Sequence, residues 1–146
     1  MGTRTNIHFM EGERMVANIY RHFDGYPEGV LPDLESFFKE VKDNLSDTRF
    51  TDAEYLAARY VTWQARQNAR EFNRETGEYV PKDHFLDFLS LGICIEDHGD
   101  IEFIYEVNSD RSMFDESGSP DVRWKSTYGV KKWQKGIPTG GESAVG

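Results

Sequence analysis

Apolar and polar residues alternate along Thr5 to Met10 and again along Arg14 to Arg21, as Ile7 and Phe9 and then Met15, Ala17 and Ile19, with Glu-Gly-Glu between the runs. Period two on both sides of a glycine-bearing turn predicts a β-hairpin. Phe23 to Pro32 then holds Asp24-Gly25, Pro27, Gly29 and Pro32, and is expected to form a shaped loop. From Asp33 the period changes. Leu34, Phe37, Phe38, Val41 and Leu45 fall on one helical face, with Asp33 as the expected N-cap. Thr51-Asp-Ala-Glu54 reads as a capping box for a second helix that runs past Leu56, Tyr60 and Trp63 to about Glu75, with Arg70 and Arg74 complementing its dipole and Gly77 beyond its end. Alternation returns over Phe85 to Val107. Leu91, Ile93 and Ile95 share one face, and Ile101, Phe103, Tyr105 and Val107 share another, around Asp97-His98-Gly99-Asp100, which predicts a second hairpin. A Ser/Gly/Asp loop from Ser109 to Asp121 leads to an expected last strand, Arg123 to Val130.

Strands at both ends and helices between them predict an α+β fold, an antiparallel sheet from N- and C-terminal hairpins packed against two central helices. Residues 1–135 are read as one domain and 136–146, with four Gly and no core pattern, as a flexible tail. The length of 146 residues, 38% hydrophobic with 14% aromatic, suits a single packed core and argues against disorder. No G-x-G-x-x-G or G-x-x-x-x-G-K-[ST] string is present, which disfavours the common phosphate loops. A net charge of -9 disfavours a general nucleic-acid coat protein. The one cysteine, Cys94, excludes an internal disulfide or thiolate cage and fits a reducing compartment. No membrane-length apolar run and no signal-type apolar segment at Met1 to Glu11 are seen, and Asn6 departs from the myristoylation pattern, so a cytoplasmic location is expected.

The densest polar and aromatic cluster is Tyr20-Arg21-His22-Phe23-Asp24-Gly25-Tyr26-Pro27, where the first hairpin runs into the loop. Arg21 suits a phosphate, Tyr26 or Tyr20 a stacked base, and Asp24 a ribose hydroxyl or amino group. The competing reading is that Arg21 and Asp24 pair and Asp24 makes an Asx-turn. Asn108-x-Asp110 ends the best strand and is either a polar reader or a turn start. Val122 to Lys135 carries five basic residues and three rings with no acid, leaving 12 basic against 26 acidic residues elsewhere, a body of -14. Arg123 and Trp124 in that stripe suit a nucleotide; the alternative is a lysine-guarded edge strand with Trp124, Tyr128 and Val130 turned inward. His8, His22, His84 and His98 show neither H-x-x-x-H spacing nor the paired H-x-T/S motifs of small phosphoesterases. Neither a metal nor a cofactor is expected, Cys94 reads as packing, and no catalytic set stands out.

Gly2-Thr-Arg-Thr-Asn-Ile7 followed by Ile19-Tyr-Arg-His-Phe-Asp-Gly-Tyr-Pro-Glu-Gly29 resembles a group of small phage and prophage proteins with a GTR-type first strand and a YRH-x-DGYP-x-G string. The order of elements from Gly2 to Trp124 is similar to the anti-Thoeris sponge proteins, which sequester cyclic ADP-ribose-type immune signals without cleaving them. The resemblance implies a homo-oligomer in a host bacterial cytoplasm, its ligand between protomers and held by arginines, a stacking ring and an Asn-x-Asp pair. Arg21, Asn108 and Asp110 are the positions that match, with Arg123 a looser one, and Phe85, Phe103 or Tyr105 as the ring.

The function expected on these grounds is non-catalytic sequestration of a cyclic nucleotide signal, of cyclic ADP-ribose or cyclic oligonucleotide type, that counters host defence. A compact dianion needs only a few local arginines and tolerates an acidic protein. Two alternatives stand beside it: an acidic phage protein that inhibits a host protein directly or as a DNA mimic, and a nucleotide-processing enzyme using His22 and Asp24.

Overall fold

The computed structural model describes residues 2–68, 70–81, 90–129 and 131–138. In chain order it forms β1 (Thr5–Glu11), β2 (Arg14–Arg21), α1 (Pro27–Asn44), α2 (Ala53–Asn68), β3 (Arg70–Asn73), β4 (Glu78–Pro81), β5 (Leu91–Cys94), β6 (Phe103–Asn108) and β7 (Asp121–Ser126). Five strands make one sheet in the order β5-β2-β1-β6-β7, and β3 and β4 pair separately. The fold is α+β. Among the described residues no helix is long and apolar enough to cross a membrane.

One face of the sheet carries the helices. Ile7 and Phe9 of β1, Ile19 of β2, and Phe103, Tyr105 and Val107 of β6 meet Val30, Leu34, Phe37 and Val41 of α1 and Leu56, Ala57 and Tyr60 of α2 in a single core. The alternation that predicted the first hairpin follows from this: Thr5, Ile7 and Phe9 of β1 and Ala17, Ile19 and Arg21 of β2 turn to the helices, and Asn6, His8, Asn18 and Tyr20 turn to the opposite face, until a bulge beside Phe9 breaks the alternation, brings Val16 against the core and leaves Met15 exposed.

The second predicted hairpin does not form. β5 pairs antiparallel with β2, and β6 pairs parallel with β1, so two strands separate them and the sheet is mixed rather than antiparallel. Burial separates the two runs that alternation made equal. Phe103, Tyr105 and Val107 are fully buried, as a central strand under helices requires, whereas Ile93 and Ile95 are 82% and 92% exposed at the sheet's edge. The Phe85 end of that predicted run lies outside the described residues.

Both helices shift from the expected bounds. α1 starts at Pro27 rather than Asp33, because proline at the first helical position gives up an N–H that would have had no partner there, and Tyr26 O accepts from the N–H groups of Gly29 and Val30. Pro32 is accommodated within the helix on an exposed face, its unmade bond falling on the exposed Glu28. α2 is capped by Asp52 rather than Thr51: the Asp52 carboxylate accepts from Tyr55 N at 3.2 Å, while Glu11 reaches from the first hairpin to accept from Ala53 N. It ends at Asn68. Arg70 and Arg74 therefore belong to the β3–β4 hairpin, whose turn is set by Asn73 accepting from the N–H groups of Glu75 and Thr76 and by Gly77 at φ 72°. The last strand covers Asp121–Ser126 instead of Arg123 to Val130, and Gln134 folds back to bridge Trp124.

Candidate functional site

β2 delivers Arg21 to the helix side of the sheet, where its side chain is only 9% exposed. Its Nε donates to Phe23 O at 2.8 Å, and its Nη1 lies 2.9 Å from Asp33 Oδ2 and 3.2 Å from the Tyr60 hydroxyl. Gln64 Nε2 donates to the same Asp33 oxygen at 3.0 Å and the same hydroxyl at 3.2 Å. The guanidinium is thus clamped between the loop, α1 and α2. Burial works against its charge, but Tyr60 and Asp33 more than offset this and raise its pKa further, so it is always cationic. Burial raises the pKa of the Tyr60 hydroxyl, which stays protonated.

A hollow of about 460 Å³ opens beside this clamp, lined by Arg21, Phe23, Asp24, Asp33, Gln64, Asn68, Ser90 and Leu91. One guanidinium faces two carboxylates there. The expected ion pair within the loop is replaced: Arg21 pairs with Asp33 of α1, and Asp24, at φ 54°, accepts from Tyr26 Oη at 3.1 Å. Arg21 and Asp24 line the hollow. Tyr26 borders it only through Asp24.

The other expected site residues are elsewhere. His22 Nδ1 is 2.7 Å from the Tyr20 hydroxyl, and its ring meets the edge of Phe23, so it makes no dyad with Asp24. Phe103 and Tyr105 are fully buried, and the Tyr105 hydroxyl donates to Gly25 O at 2.6 Å, so neither presents a ring for stacking; the third ring, Phe85, is outside the described residues. Trp124 packs on Phe103 and donates from Nε1 to Gly136 O at 2.9 Å, inside the core and not on a ligand surface. That contact docks the first residues of the segment expected to be a free tail.

Asn108 uses its whole amide on backbone, accepting from Gly12 N at 3.0 Å and donating to Gly12 O at 2.8 Å, which ties β6 to the first hairpin's turn. Asp110 caps the single turn Arg111–Met113 through Ser112. Both lie at the far end of β1 from Arg21: Asn108 pairs with Met10 and Arg21 with Thr5, five residues or roughly 17 Å apart along the strand. Arg123 is on the opposite sheet face, ion-paired with Glu106 at 2.7 Å and lying over the Trp133 ring. One copy of the chain does not bring these groups onto one small ligand.

The period-two reading missed a cluster on the face away from the helices. His8 Nε2 is 2.6 Å from Asp97 Oδ1, which also accepts from Asn18 Nδ2 at 2.9 Å; Asn18 in turn accepts from Asn6, and Asn6 accepts from His98 N. The His98 ring stacks on Tyr20 at 3.8 Å. Burial, then the nearby Asp100, raises the Tyr20 pKa. Asn6, His8, Asn18 and Tyr20 share one face of a predicted hairpin, which was the available signal. Nothing local in the sequence places Asp97 over them. These bonds strap the loop between β5 and β6 across the sheet.

The fold and this geometry define an α+β protein with a clamped arginine beside a polar hollow. Compared with protein-family models, curated proteins and solved structures, the chain finds no match.

Proposed function

We propose that the chain is a non-catalytic binding protein that sequesters a cyclic nucleotide signal, of cyclic ADP-ribose or cyclic oligonucleotide type, in the hollow beside Arg21, and thereby counters host defence. The observation that carries the reading is the preset guanidinium, anchored at three points before any ligand arrives and bordered by Asp24, Asp33, Gln64 and Ser90. Such a lining suits ribose hydroxyls and base amino groups, and a rigid cation loses little freedom on binding. Because Asp33 already shares Arg21, the ligand's phosphates need further cations. The resemblance implies a second protomer as their source, and Arg123, partly exposed beside Glu106, is the position for it, since Asn108 and Asp110 are already engaged with Gly12 and Ser112.

The test is thermal unfolding against a panel of cyclic ADP-ribose isomers and cyclic dinucleotides. A ligand at 100 times its Kd stabilises by about 2.7 kcal/mol. Ser90→Trp and Asn68→Trp, which fill the hollow from its rim, are expected to abolish that shift, and heat denaturation of the loaded protein is expected to release ligand intact. A linear product, or a shift indifferent to both substitutions, overturns the proposal.

A further inference from the structure

We propose that the groove between α1 and α2 is a separate binding site for a flat, apolar monoanion, an aromatic ring bearing one carboxylate or sulfonate. The groove encloses about 670 Å³, within the usual range for small-molecule sites. Phe37 and Val41 form its floor and are buried in the core below, while Trp63, Tyr55 and Leu45 stand along it with apolar surface in solvent. Trp63 is held in place by Phe37, with ring centroids 5.8 Å apart.

Arg59 supplies the anion's partner. It is half-buried, and one nitrogen, Nη1, donates to both Asp47 O at 3.1 Å and Thr48 O at 2.9 Å in the connection from α1 to α2. Those carbonyls fix the guanidinium without neutralising it, and among the described residues no carboxylate pairs with it. Its neighbour two turns along the same face of α2, Arg66, is different: Glu40 of α1 pairs with it across the groove. The rim therefore holds one cation in excess, in a chain whose net charge is -9. A field of that sign repels anions at long range, so any preference of this groove for them is short-range, made of one directed charge-assisted bond and ring contact. A single uncompensated guanidinium matches a single negative charge. A dianion would leave its second charge facing Glu40.

The experiment is calorimetric titration of the full chain with 1-naphthoate and with its neutral analogue 1-naphthalenemethanol. Saturable one-to-one binding is expected, with naphthoate favoured about tenfold, the worth of one charge-assisted bond. Arg59→Gln is expected to bring the two ligands to parity. Ala58→Trp, at an exposed α2 position that lines the groove, is expected to abolish binding of both while leaving the circular dichroism spectrum unchanged. Asn68→Trp, which closes the hollow beside Arg21, leaves naphthoate binding intact, so the two proposed sites fail independently. Parity in the unsubstituted chain, absence of saturable binding, or a naphthoate preference that survives either Arg59→Gln or Ala58→Trp overturns the assignment.

Discussion

Apart from the exposed Glu28, the residues from Tyr20 to Gly29 have packing or hydrogen-bonding tasks at the corner where β2, the loop and α1 meet. Tyr20 and His22 bond each other on the open sheet face, Arg21 clamps Phe23 O to Asp33, and Gly25 donates to Thr3 O while accepting from Tyr105. The two glycines are demanded by close approach. A Cβ on Gly25 would stand 2.6 Å from Thr3 O, and one on Gly29 would stand 2.4 Å from Asp24 O, both backbone atoms with little freedom to retreat. Gly25→Ala and Gly29→Ala are therefore expected to destabilise by about 1–3 kcal/mol each in urea unfolding. Gly99→Ala, where a Cβ meets nothing within 4 Å, is expected to stay within about 0.5 kcal/mol. Equal effects at all three positions would contradict this packing. Of the site itself, the sequence made legible that Arg21 and Asp24 belong together near a hollow. It did not make legible the partner of Arg21, because Asp33 was assigned to a helix cap, and only a helix beginning at Pro27 turns that carboxylate toward β2. A string this occupied with structure also means that sharing it entails sharing the corner, while ligand chemistry rests on the hollow's remaining lining.

At the scale of elements, what could be read was whatever repeats within one segment. The first hairpin, the amphipathic face of α1 and the core of α2 all follow from local period and each forms, although α1 starts earlier and α2 ends sooner than the pattern placed them. Pairing between distant strands has no such signature. β6 inserts beside β1 in parallel, which brings Thr5 next to Phe103 across a separation of 98 residues, and a turn sequence such as Asp97-His98-Gly99-Asp100 gave no hint that its flanks part company. That topology has a direct consequence for substitutions. Val107→Ala on β6 opens space in the core and is expected to cost about 1–3 kcal/mol, whereas Ile93→Lys on β5, exposed at the sheet edge, is expected to be nearly neutral. Chemical denaturation of the two variants separates the observed strand order from a β5–β6 hairpin, in which both side chains would share one buried face.

Across the whole molecule the two phenols under the helices tie stability to alkaline pH. Tyr60 lies between β1 and α1, its ring packed on Phe9 and Phe37, and Tyr105 bonds Gly25 from the central strand beside it. Burial is the main cause that raises both pKa values above the ordinary 10.0. The folded chain keeps both protons at a pH where the unfolded chain has lost them. Their contribution is thus fully present below pH 10 and declines as pH rises above it, by about 1.4 kcal/mol per pH unit for each tyrosine. The phenolate absorbance of the buried pair is expected to appear only as the circular dichroism signal of the fold collapses. Tyr60→Phe should shift the alkaline collapse to higher pH relative to the variant's own neutral-pH stability, since one of the two linked protons is gone. A smooth titration of all seven tyrosines with the fold preserved would mean that these rings are not sealed beneath α1 and α2, and with that the clamp on Arg21, which shares the Tyr60 hydroxyl, would lose its dry setting.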